Sequence, residues 1–354
     1  MRTEATRPSS WPQARKFSGL AHGAMGGAWA WLQLLKAQLV RDDSRVSKAI
    51  VAQLRKEFAR PSRRYNSHFI GSAAAPVVAA LGSRLDSEIG RLFSAALPGW
   101  MSSCRRGEES DVFLGTAGAL LAAAEIEGHL PGRMPGQFIR KLQADCGSEL
   151  QRLLAQSRRE PVLLGMAHGV AGYLLALEAG QAAFGLRIKS SLRSRCLEKI
   201  RLEQLQASDR ASLWAARTGA HETGDHSWCH GGPGIGLSLV CGYKLTGNQQ
   251  YVELALLALN GTFQFDVEAS AIFCCGRAGR AQILIEAFRI LGDEKWLRRA
   301  RSVAKRDGPL SIRTHARRRY TRGFHQGRLG LQYLRWRLEH PMELPLPGLG
   351  GLSC

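Results

Sequence analysis

A four-residue unit, Gly-x-x-Gly, recurs along the 354-residue chain, each time followed by an apolar run. It appears as Gly23 with Gly26, Gly115 with Gly118, Gly169 with Gly172, Gly231 with Gly234, Gly276 with Gly279, and Gly327 with Gly330. A degenerate seventh copy pairs Gly71 with Ala74. Self-similarity on this scale means that one supersecondary unit is being stacked, which outweighs any local reading of the chain. Successive first glycines are 48, 44, 54, 62, 45 and 51 residues apart, room for two helices and their loops.

Each unit therefore reads as a helical hairpin, and the chain as all-α. The run after each motif, such as Ile235, Leu237, Leu239 and Val240, is apolar on much of its circumference, as an inner helix covered on both sides must be. Gly247 and Gly292 each fall 13 residues after a motif's second glycine, where a helix of that length needs a C-terminal stop. Polar, Arg-rich stretches such as 296–305 then supply outer helices. Stacked hairpins form an open solenoid or a closed ring. Seven units with glycines that allow close backbone approach at one rim favour the ring.

Chemistry-bearing side chains cluster just before these glycines. Asp111 lies four residues ahead of its first glycine, His168 one, Cys229 two, and Cys274 and Cys275 two and one. Equivalent repeats would bring all five to one rim. Taken singly, each cysteine reads as a small buried hydrophobe, and Cys274 with Cys275 as a strained vicinal disulfide. Converging beside helix N-termini, the three make a Zn²⁺ site with an open fourth position, the arrangement of a catalytic zinc. His168 at this rim is a general acid or base, and Asp111 either orients it or caps the following helix. His22 and His230 hold the same place as His168 relative to their glycines.

The blocks Ser227 to Ile235 (Ser-Trp-Cys-His-Gly-Gly-Pro-Gly-Ile), Phe273 to Gly279 (Phe-Cys-Cys-Gly-Arg-Ala-Gly), Gly165 to Gly172 (Gly-Met-Ala-His-Gly-Val-Ala-Gly) and Gly323 to Gly330 (Gly-Phe-His-Gln-Gly-Arg-Leu-Gly) resemble the signatures of the LanC-like lanthipeptide cyclases. They are most similar to the cyclase domain of class II LanM synthetases. The resemblance implies an (α/α)₇ toroid of seven helical hairpins over residues 19–340, with zinc at one mouth held by Cys229, Cys274 and Cys275. It implies His168 and Asp111 as catalytic residues. His22 and His230, from their position, are rivals of His168 or substrate contacts, and His325 is a further candidate contact. Arg277 and Arg328 depart from the small residues usual at those motif positions, and either contact an anionic substrate or narrow the site. The implied reaction adds a peptide cysteine thiolate to dehydroalanine or dehydrobutyrine in a dehydrated precursor, giving lanthionine or methyllanthionine. Many members carry Cys-His-Gly where this chain has Cys-Cys-Gly. A third thiolate makes the zinc complex more negative, so a substrate sulfur should be held less tightly and attack more readily. LanM synthetases also carry a dehydratase domain that these residues do not resemble, so dehydration is expected from a separate dehydratase unless the chain is a truncated or decaying relative.

Charge points to the partner. Lys and Arg number 49 against 29 Asp and Glu, and this net +20 favours an anionic partner, which for the resembled family is an acidic leader peptide. Arg317, Arg318 and Arg319 form the densest run. No nucleic-acid-binding motif accompanies the charge, and nucleic acid is not expected. With 45% apolar and 22% charged residues the chain is globular in composition. Eight cysteines are too few for a disulfide scaffold, so a reducing, cytoplasmic location is expected. The stretch 19–35 has the length of a signal peptide, but His22 and the repeat pattern favour its being the first unit. Residues 1–18 read as a flexible basic arm and 341–354 as a C-terminal tail, and no transmembrane segment is expected. Two rival functions stand beside the cyclase. An inactive zinc-binding scaffold for a peptide or a dehydratase would need only the thiols, and a toroidal glycosidase would need paired carboxylates that the motifs lack.

Overall fold

A computed structural model describes residues 19–60, 65–104, 109–208, 210–220, 224–264, 271–305 and 323–352. The basic arm and the Arg317 to Arg319 run lie outside the described residues. A helix starts at every motif: α1 (Met25–Lys36), α3 (Ala74–Gly82), α5 (Thr116–His129), α7 (Val170–Phe184), α9 (Gly232–Thr246), α11 (Arg277–Leu291) and α13 (Arg328–Glu339). Each packs on the next, and α13 returns to α1, so these inner helices close a ring. Among the described residues six outer helices alternate with them: α2 (Ser44–Ala59), α4 (Ser87–Cys104), α6 (Gly136–Gln156), α8 (Ser190–Leu202), α10 (Gln249–Gln264) and α12 (Glu294–Lys305).

The two sets differ as their sequences require. Along α9 every residue from Gly232 to Gly242 is buried, so the helix has no solvent face to keep polar. By contrast α12 buries Trp296, Leu297, Ala300, Val303 and Ala304 on one stripe and turns Arg298 and Arg301 outward. Gly185, Gly247 and Gly292 end α7, α9 and α11 with φ of 69°, 68° and 72°, left-handed stops that only glycine adopts without strain. Gly185 is a third such stop beside the two expected.

The second motif glycine has a steric reason. A Cβ on Gly118, Gly172, Gly234 or Gly279 would lie 2.1, 2.0, 2.0 or 1.9 Å from the carbonyl oxygen of Val112, Met166, Trp228 or Phe273. The first turn of each inner helix thus packs directly on the loop that leads into it. These loops are then sewn to one another by backbone hydrogen bonds around the mouth. Leu20 donates to His68 at 2.9 Å, Asn66 to Leu114 at 2.9 Å, Phe113 to Ala167 at 3.0 Å and Ala167 to Cys229 at 2.9 Å. Trp228 donates to Cys274 at 2.9 Å, Cys274 to His325 at 3.0 Å and His325 to Ala21 at 3.0 Å, which completes the circuit.

Two features depart from seven equal hairpins. The longest spacing holds an antiparallel β-hairpin, β1 (Gln204–Ser208) and β2 (Ala211–Trp214), packed on α10. Its anchor is Trp214, fully buried, whose indole donates to the Ile200 carbonyl at 2.7 Å. The second departure follows α13, where Pro341, Pro345, Pro347, Gly348 and Gly350 exclude another long helix. The stretch read as a tail instead runs into the ring and buries Leu344, Leu346, Leu349 and Leu352. It touches inner helices on several sides at once. The Leu344 carbonyl accepts from Arg337 Nε at 3.0 Å and the Pro345 carbonyl from the Tyr333 hydroxyl at 2.9 Å. The Gly348 carbonyl lies 3.0 Å from His68 Nε2, just under the mouth, and the Gly350 and Gly351 amides face Glu125 of α5. A segment that meets α13, α5 and a mouth loop together fills the bore.

No described helix is long and apolar enough to cross a membrane. Leu346→Ala should cost about 2–5 kcal/mol in urea unfolding, since its side chain is buried and truncation leaves a cavity. The buried polar groups make stability depend on pH in opposite senses. Burial pushes His68 and His129 down to about 4, so between that value and 6.5 the unfolded chain binds more protons, and stability falls as pH drops through this window. Glu125, pushed up to about 7 by burial, keeps its proton in the folded state and loses stability as pH rises from 4.5. Glu125→Gln removes this opposing term. The variant should therefore gain more stability than the parent chain between pH 5 and 7, read from denaturation midpoints.

Candidate active site

Because the mouth loops are bonded backbone to backbone, residues at equivalent places in different repeats become neighbours. Cys229 and Cys274 both sit two residues before a first glycine, and their Sγ atoms are 3.0 Å apart although 45 residues separate them. Cys275 adjoins them and is solvent-exposed. The Cys229 contact raises the pKa of Cys274, and the Cys274 contact raises that of Cys275, with burial adding to each. Clustered thiols oppose one another's ionisation unless a cation joins them.

The donor set suits a thiophilic dication. Zinc at about 2.3 Å from each sulfur holds two sulfurs about 3.8 Å apart in a tetrahedron, so Cys229 and Cys274 would have to part by somewhat under about 1 Å. Among the described residues no three His, Cys, Asp or Glu side chains are already arranged as a metal cage. The structure thus joins the thiols by type and proximity, in a hydrogen-bonded arrangement rather than a splayed one.

Across the same mouth His168 Nδ1 lies 2.7 Å from Asp111 Oδ2, the two residues being 57 apart in sequence. Asp111 Oδ1 accepts from the Leu114 amide at 2.6 Å, so the carboxylate is fixed by its own loop. With Nδ1–H donated to a carboxylate, Nε2 is left as the basic nitrogen of His168. The pair remains reachable, with 24% of the His168 side chain and 14% of that of Asp111 exposed. His230 stacks on His168 at 5.5 Å between ring centroids, and its pKa is lowered by burial and then by His168.

The profile of the family described as "Lanthionine synthetase C-like protein" matches residues 70–349. The chain belongs to this family. Its fold is also similar to that of a solved structure titled "Nisin cyclase", with a TM-score of 0.72 at 17% sequence identity, covering 92% of this chain and 89% of that one. At that identity the likeness is one of fold.

Beneath the site of this LanC-like ring lies a floor of rings. His325 is its centre, 1% exposed, stacked on Phe273 at 4.6 Å and edge-on to Trp228 at 4.9 Å. Phe69 and Phe113 flank it at 5.8 and 5.9 Å. His22, half-buried, meets His325 edge-on at 6.1 Å, and burial pushes its pKa down to about 4. The pKa of His325 is also lowered, by burial and then by His22 and His68, so burial disfavours charge on both rings. Of the candidate substrate contacts, His230 and exposed Arg328 are therefore accessible, whereas His325 is packed away. Arg277, at the start of α11, is buried with Nε and Nη1 lacking hydrogen-bond partners among the described residues.

Sequence reasoning passed over the floor and Asp225. The Asp225 carboxylate accepts from the Ser227 amide at 2.7 Å, and its negative charge raises the pKa of both Cys274 and Cys275. The floor had a visible signal, since aromatic side chains recur two and three residues before the first glycines at Phe69, Phe113, Trp228, Phe273 and Phe324. Burial also sorts the described cysteines. Cys104 and Cys196 are pushed up to about 12, while Cys146 and Cys241 are buried. Peptide mapping after brief iodoacetamide treatment of the native, metal-free protein should find label on Cys275 and Cys229 before any of those four. Equal labelling of Cys146 would contradict the packing described.

Proposed function

We propose that this chain is a zinc-dependent lanthipeptide cyclase. It would close thioether rings in a peptide that already carries dehydroalanine or dehydrobutyrine. One observation supports this reading most: in a LanC-like chain, the Asp111–His168 pair and the thiols Cys229, Cys274 and Cys275 meet at one mouth. Cys229, Cys274 and Cys275 would hold the metal, whose bound charge favours an ionised substrate thiol near neutral pH.

The reaction forms one carbon–sulfur bond and adds one proton. The substrate thiol loses its proton, and sulfur attacks the β-carbon of the dehydro residue. The π electrons move onto the adjoining carbonyl as an enolate, and a proton is delivered to the α-carbon. His168 Nε2 is suited to carry that proton, because Asp111 holds Nδ1 and thereby the ring's tautomer and direction. Asp111 also stabilises the imidazolium that forms when Nε2 takes a proton. The ring floor keeps water from below, which limits protonation by solvent. His230, stacked on His168, restricts its ring plane and lines the approach. The family resemblance further points to an acidic leader on the substrate.

The test is thiol alkylation followed by mass spectrometry of a dehydrated, cysteine-containing precursor, since cyclisation removes an alkylatable thiol without changing mass. His168→Asn should lower the rate about 10²–10⁴-fold. Asp111→Asn should also slow it, with the circular dichroism spectrum retained. Metal analysis should find about one zinc per chain, lost in Cys229→Ala. Unimpaired ring closure by both His168→Asn and Cys229→Ala would refute the proposal.

A further inference from the structure

Outside the mouth, a groove of about 590 Å³ not used above lies between α6 and α8, reaching Gln250 at the start of α10. Its floor is apolar, made of Leu154 and Leu197, both buried. Leu202 stands at its edge 69% exposed, one of three large apolar side chains so exposed among the described residues. Arg158 and Arg195 also line it, exposed and without an ion-pair partner among the described residues. The third arginine, Arg201, is only loosely engaged by Glu253 at 3.7 Å, whereas Lys199 is paired with Glu203 at 2.7 Å. Glu198 is the one carboxylate on the lining.

Unpaired guanidinium groups beside exposed leucine select for a partner that is both acidic and apolar. A nucleic acid would satisfy the arginines and leave Leu154, Leu197 and Leu202 without complement. A second copy of the chain brings its own net charge of +20 and is repelled. The helices that form the groove both pack on α7, the inner helix that follows His168, so the groove belongs to the same sector as the Asp111–His168 pair.

We propose that this groove docks an acidic, leucine-bearing segment of the peptide substrate lying outside the residues that react. The inference rests on the reading of the chain as a peptide cyclase. Carboxylates of the segment pair with Arg158 and Arg195 while its apolar side chains cover Leu197 and Leu202. Docking on the outer wall holds the remainder of the peptide near the mouth and raises its effective concentration there.

The probe is a fluorescein-labelled synthetic peptide of glutamate and leucine, free of cysteine and dehydro residues, read by fluorescence anisotropy. A second peptide has glutamine for every glutamate. The double variant Arg158→Glu with Arg195→Glu should bind the acidic peptide about tenfold more weakly. The charge-matched control Arg45→Glu with Lys48→Glu, exposed on α2, should bind it as the parent does. The glutamine peptide should bind weakly to all three. Equal loss in both double variants, equal binding of the glutamine peptide, or displacement of the acidic peptide by single-stranded DNA at the same concentration would overturn the proposal. The probe cannot be cyclised, so the two readings fail separately. Binding without ring closure of a precursor would sink the catalytic reading alone, and ring closure without groove binding would sink this one alone.

Discussion

The backbone hydrogen bonds that join neighbouring mouth loops are the constraint on which the rest depends. Each loop donates to or accepts from the next until His325 returns to Ala21, so no loop can shift without breaking two junctions. A helix ring held only by side-chain packing would tolerate sliding of one hairpin past another. A ring whose loops are bonded to one another has a single register. That register decides which residues become neighbours, and it explains how Cys229 and Cys274, or Asp111 and His168, come within bonding distance.

The glycine pairs are the covalent condition for the circuit. Where the second glycine is present, its missing Cβ lets the inner helix begin against its own loop, which in turn leaves the loop's outer edge free to bond its neighbour. The bore created by this ring is not left empty. Residues 341–352 enter it, tied to Arg337 and Tyr333 on one side and lying against His68 near the mouth. Arg337 is fully buried and bonded to Glu286 and Gln282, so the interior holds polar groups that are matched by partners rather than merely enclosed.

The mouth and the floor divide the chemistry. Below, neutral histidines and aromatic rings pack without charge. Above, Cys274, raised in pKa by Cys229, and Cys275, raised by Cys274, lie beside a carboxylate–imidazole pair whose geometry is set by a backbone amide. The reactive side chains are thus kept on one face of a layer of packed rings. The net charge of +20 adds a longer-range positive field around this geometry.

The repeat was legible because it is written in spacing: the glycine pairs, the apolar runs after them, and the stops at Gly247 and Gly292 all reflect local backbone needs that any chain must meet. The placement of Cys229, Cys274, Cys275, His168 and Asp111 relative to those glycines was legible for the same reason. Other features depend on contacts between residues far apart and leave little periodic trace. The β-hairpin hangs on one buried tryptophan, Trp214, and the bore-filling segment reads locally as a proline- and glycine-rich tail. Which rings close the floor, and that His325 is buried while Arg328 is exposed, follow from how seven loops meet at once. Sequence by itself determined the repeating unit and the order of its reactive side chains, since both are local and periodic. The tertiary structure alone decided their distances, their burial and what fills the ring, since these arise only when the last loop bonds back to the first.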